Sequence, residues 1–113
     1  MFICDCHCDT LTELYKKGTS IYANDQHFDI QRLIELGGGL QFCAIYVPTQ
    51  EFRYYGGLRY TLQYLDKYLQ EVKKLQADGI DVLQVRTKED VADVLNHKAA
   101  TLLAIEEGGA IDG

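Results

Sequence analysis

Residues 40–47 (LQFCAIYV) constrain this chain more than any other stretch: the run is apolar on both faces except at Gln41, and Pro48 closes it. A strand with one wet face alternates apolar and polar residues. One that is apolar throughout belongs in a parallel sheet covered on both sides. The rest of the chain suits that arrangement. Residues 2–8 read as a short strand. Residues 10–17 have helical spacing at Leu11, Leu14 and Tyr15 and end at Gly18, a natural residue just past a helix C-terminus. Asp29 is placed to cap a short helix carrying Ile30, Leu33 and Ile34, which Gly37, Gly38 and Gly39 stop.

A long helix is predicted over residues 58–77, with Leu58, Leu62, Leu65, Leu69 and Val72 as its apolar stripe and Tyr60, Tyr64 and Tyr68 flanking it as a packing edge. Residues 80–85 are a brief β-like run. Thr87 to Asp90 resembles a capping box with Asp in place of Glu, opening a helix through Val91, Val94 and Leu95 that Asn96 ends. Residues 101–105 are a third strand. Strands separated by helices predict a parallel α/β fold. The last strand has no covering helix after it, so residues 1–113 are expected to be one incomplete α/β domain.

The net charge of −6 offers no basic footprint, which excludes nucleic acid as a partner. No run approaches the ~20 apolar residues of a membrane span, and an aspartate at position 5 interrupts any apolar signal core, so a cytoplasmic location is expected. Cys4, Cys6, Cys8 and Cys43 are accordingly expected as reduced thiols. The first three, two apart on a strand, have Cα atoms roughly 6.5–7 Å apart, at the edge of disulfide geometry. Their bland role is as small packing residues; the alternative is a soft-metal or redox patch.

Ligands of α/β sheets gather at the C-terminal ends of the strands. The first strand ends in Asp5-Cys6-His7-Cys8-Asp9-Thr10, where His7 and Asp9, two apart, point to one face. An imidazole and a carboxylate on one face suit a borderline cation such as zinc. The third strand runs into Glu106-Glu107-Gly108-Gly109, whose glycines permit close approach. Either piece alone is weak: His7 can simply tie down a strand end, and an acidic pair before two glycines is unremarkable. The Gly37–Gly39 run follows a helix and precedes a strand, the reverse of a phosphate-binding loop.

Taken in order, these pieces resemble the membrane (renal) dipeptidase family of zinc metallopeptidases. Its opening D-x-H-x-D-T is matched by Asp5, His7, Asp9 and Thr10. Its second block resembles His27-Phe28-Asp29-Ile30-Gln31-Arg32-Leu33, then Gly37-Gly38 and residues 41–48. Its E-G-G block resembles residues 104–109.

The resemblance implies the N-terminal part, about three strands with their helices, of a (β/α)8 TIM-type barrel with two zinc ions at its mouth. It implies that His7 and Asp9 ligate one zinc. Glu107, before Gly-Gly, is the bridging and catalytic carboxylate, and Glu106 is its neighbour, exchangeable with it by a one-residue slip of alignment. The implied reaction is hydrolysis of dipeptides by metal-activated water, without a serine or cysteine nucleophile. Two further histidines and the substrate-contacting residues are implied downstream of Gly113, so the chain alone is expected to be inactive. His27 and His97 match no ligand, and His97 is expected to favour a helix C-terminus. An unpaired sheet edge makes a homo-oligomer a candidate state. The alternatives are a non-catalytic α/β module that binds metal or a partner, or another amidohydrolase-like barrel, whose usual H-x-H opening differs from the H-x-D here.

Overall fold

The computed structural model describes residues 1–52 and 56–111. In chain order its elements are β1 (Ile3–Asp5), α1 (Thr10–Lys17), α2 (Ile30–Glu35), β2 (Gly39–Ile45), α3 (Gly57–Ala77), β3 (Val82–Val85), α4 (Lys88–Asp93) and β4 (Ala99–Ile105). Single 3-10 turns follow α4 at Val94–Asn96 and β4 at Gly108–Ala110. The strands form one parallel sheet in the order β1-β2-β4-β3.

Two expectations about the sheet are corrected. It has four strands, because residues 82–85 pair fully with the start of β4 instead of remaining a stray β-like run. The strand expected third, β4, lies inside the sheet between β2 and β3. Its burial agrees with this: Ala99, Ala100 and Thr101 are fully buried, as expected where both faces and both edges of a strand are covered.

Local signals act where the sequence places them. Gly18 adopts φ 66° and closes α1. The Asp29 carboxylate accepts the Arg32 N–H at 2.7 Å and an Arg32 Nε–H at 2.6 Å, capping α2 while itself nearly buried. Thr87 and Asp90 complete the capping box of α4. The close approach is at Gly39, where a Cβ would stand 2.3 Å from the Ile3 carbonyl oxygen, so a side chain there would push β1 off the sheet.

The packed face of α3 is centred on the tyrosine edge and shares only Val72 and Leu65 with the predicted stripe. Thr61, Tyr64, Tyr68, Val72 and Leu75 are its buried side chains, whereas Leu58, Leu62 and Leu69 are between 37% and 52% exposed. The tyrosines win because their rings fill the space over β2 and β4 while their hydroxyls still find partners. Tyr68 shares a 2.8 Å hydrogen bond with Thr101 on β4, and Tyr64 donates to the Thr12 carbonyl of α1. Burial pushes both phenols above their ordinary pKa. Tyr15, Tyr60 and Tyr64 stack in a row with centroids 4.3–4.5 Å apart.

Helices α1 and α3 thus cover one face of the sheet around Cys43, Ile45 and Ala99, while Leu40, Phe42, Ala100 and Leu102 on the other face meet Val94. Among the described residues no helix is long and apolar enough to cross a membrane.

Candidate metal centre

The C-terminal ends of β1, β2 and β4 lie side by side, and a change of register at the end of β1 sets the site. Within β1, Asp5 stands opposite Gln41. Beyond it, Cys8 donates its N–H to the Phe42 carbonyl at 3.0 Å and accepts from Ala44 N–H at 2.9 Å, which puts it opposite Cys43. Cys6 and His7 therefore share the one place opposite Phe42, a β-bulge. The bulge turns Cys8 into the core with Cys43. It turns His7, which an unbroken strand would aim with Asp5 under the helices, to the opposite face.

On β4 the period of two places Ala100, Leu102, Ala104 and Glu106 on that same face. His7 Nε2 lies 3.3 Å from Asp9 Oδ1 and 3.7 Å from Glu106 Oε2. One ligand atom from each of the three falls within 4.8 Å of the others, and all three residues are exposed. Asp9 stands at the N-cap of α1 but makes no side-chain cap bond, so its carboxylate is not spent on the helix. The His7 N–H donates to Asp5 Oδ1 at 3.1 Å, steadying the turn. Beside the trio the cleft is walled by Thr10 and Glu13 of α1 and by Gln26 and His27 of the following loop. His27, which matched no ligand in the sequence, is therefore on the rim of the cleft.

His7 and Asp9 meet as their spacing predicts. The glutamate beside them is Glu106, whereas Glu107 turns away. Its Oε1 is buried without a hydrogen-bond partner and lies against Gly109, where a Cβ would come within 2.4 Å of it. Counting back from the two glycines picks Glu107; counting forward along β4 from Leu102 picks Glu106, and that second count was available in the sequence. The thiol of Cys8, behind the site, is lowered to about 7, chiefly by its hydrogen bond with Cys43, and the Cys43 thiol is raised correspondingly.

The family model for membrane dipeptidases, peptidase family M19, matches residues 1–113. The chain belongs to the membrane dipeptidase family. No curated protein and no solved structure matches it significantly. The H-x-D that follows β1 and the E-E-G-G that follows β4 stand at neighbouring strand ends. His97, by contrast, sits at the other end of the sheet, with Nδ1 2.7 Å from Asp81 and Nε2 3.1 Å from Asp93. It is a clamp between the chain entering β3 and the turn entering β4, a more direct role than the expected interaction with a helix dipole.

Proposed function

We propose that the chain contributes a zinc-binding part of a metallodipeptidase active site, on a sheet that forms the first strands of a TIM-type barrel. The reading is carried by the spacing of the three ligand atoms. Two atoms each about 2.1 Å from a tetrahedral zinc stand roughly 3.4 Å apart. The two separations from His7, 3.3 and 3.7 Å, lie close to that distance, and all three atoms fall within 4.8 Å of one another. They are long for strong hydrogen bonds, so the trio is arranged for a shared cation better than for pairing within itself. Its donors, one imidazole and two carboxylates, are those of catalytic zinc sites.

His7 and Asp9 are the proposed ligands from β1, and Glu106 is the carboxylate that this arrangement adds. Glu107, the bridging and catalytic residue by family resemblance, is supported by its unpartnered buried oxygen, since a buried carboxylate oxygen calls for a donor or a cation. Zinc bound here would supply a Lewis acid able to polarise a peptide carbonyl and acidify water. The chain holds the ligands apart by strand register, leaves Asp9 free of capping duty and keeps the trio open to a substrate.

The test is zinc titration calorimetry on the chain, with dipeptide hydrolysis by the chain and by any longer product of its gene. Losing one ligand should weaken zinc binding at least ~10-fold, as even loss of a supporting partner does. His7→Ala and Glu106→Gln are both expected to do so. If Glu107→Gln has the larger effect, the assignment by glycine count is right. Full-strength binding in all three variants, or hydrolysis indifferent to chelator, would sink the reading.

A further inference from the structure

The bulge that frees His7 has a second result: it sets two thiols face to face. Cys8 bonds to the residues before and after Cys43, so the two cysteines are direct cross-strand neighbours. Adjacent strands run about 4.8 Å apart. That spacing lies inside the Cα separation of roughly 4.4–6.8 Å that a disulfide spans. Both side chains belong to the same core cluster. Their access differs: Cys43 is 0% exposed and Cys8 9%. An outside reagent can reach Cys8 alone, with Cys43 waiting behind it. Cys4 and Cys6 are exposed instead, Cys4 before the bulge and Cys6 within it, so the alternating row of three cysteines in the sequence is divided in the fold.

We propose that Cys8 and Cys43 form an oxidative modification site, closed by a low-molecular-weight disulfide of the glutathione class. The Cys8 sulfur attacks one sulfur of the small disulfide, breaking its S–S bond and releasing one thiol. The Cys43 sulfur then attacks the Cys8 sulfur of the mixed disulfide, forming the Cys8–Cys43 bond and releasing the second thiol. The two protein thiols lose two electrons and two protons, and the small disulfide carries both away as two thiols. A thiol reductant reverses both steps. The bond would fasten the end of β1 to β2 at the residue between His7 and Asp9, and only that positional consequence rests on the metal-site reading.

The experiment exposes the whole chain to oxidised glutathione, digests it without reductant and maps linked peptides by mass spectrometry. The expected product has lost about 2 Da and carries a peptide joining residues 8 and 43, which dithiothreitol removes. A C4S/C6S double variant should give the same link, and C43A should instead accumulate a glutathione adduct on Cys8. Adducts confined to Cys4 and Cys6, with Cys8 and Cys43 still free after the same exposure, would overturn the proposal. Zinc binding does not enter that readout, so the site reading and this one can fail separately.

Discussion

Tyr68→Phe tests whether the tyrosine face of α3 is the one that holds the sheet. Tyr68 is 1% exposed and Thr101 0%, and their hydroxyls share a 2.8 Å bond between α3 and the middle of β4. Phenylalanine fills the same space, so the change removes one oxygen and little packing. The lost bond and the orphaned Thr101 hydroxyl together should cost about 1.5–2 kcal/mol. For a chain of this length that is a drop of roughly 6–8 °C in Tm. Thr101→Val should cost about as much for the mirrored reason. The double variant leaves neither hydroxyl unpaired, so its loss should fall short of the sum by at least ~1 kcal/mol. Leu62→Ala is the counterweight: Leu62 is 52% exposed, and its truncation should cost no more than ~0.5 kcal/mol. Urea unfolding followed by circular dichroism reads all four. Strict additivity in the cycle, or a Leu62 variant weaker than Tyr68→Phe, would refute the packing argument.

The His97 clamp gives stability a pH dependence. His97 is raised above its ordinary value of 6.5 by its hydrogen bond to Asp81, so its contribution is full below about pH 6.5 and lost as pH rises through the raised value. Asp81 is lowered by the same bond, so its share is present above its unfolded value of 3.8 and lost as pH falls through the lowered one. The Tm difference between the chain and a His97→Gln variant should therefore peak between about pH 4 and 6.5 and shrink above it; a flat difference from pH 5 to 8 would disprove the clamp. Gly39→Ala should cost about 2–3 kcal/mol, because the new Cβ meets the Ile3 carbonyl. Gly18→Ala, with φ +66° but open space around it, should cost about 1 kcal/mol. Equal losses by urea unfolding would mean that β1 has room to move.

What the sequence made legible was local. Gly18, the Asp29 cap and the Thr87–Asp90 box each depend on interactions within four residues, and each formed where expected. The long helix and the buried strand were legible from their periods. The buried face of α3 was not, because leucines and tyrosines both recur at helical spacing, and hydropathy ranks leucine first. Tyrosine's advantage arises only once Thr101 stands across from Tyr68, a partner 33 residues away. The bulge at Cys6–His7 was equally hidden, since two residues opposite one is a property of a pair of strands. The choice between Glu106 and Glu107 was half legible: the period of β4 puts Glu106 on the face of Leu102, but which face His7 takes depends on the bulge.

The placement of β4 also bears on how the chain is made. β2 and β3 leave the ribosome before the strand that must sit between them. From Ile45 to Ala99 at the usual 5–20 residues per second, β2 waits on the order of 3–11 s for its partner. Through that interval its edge, lined by Phe42 and Cys43, stands open. A slow stretch of codons between residues 46 and 98 should lengthen that exposure and raise the load on chaperones, whereas one placed after β4 should leave it unchanged.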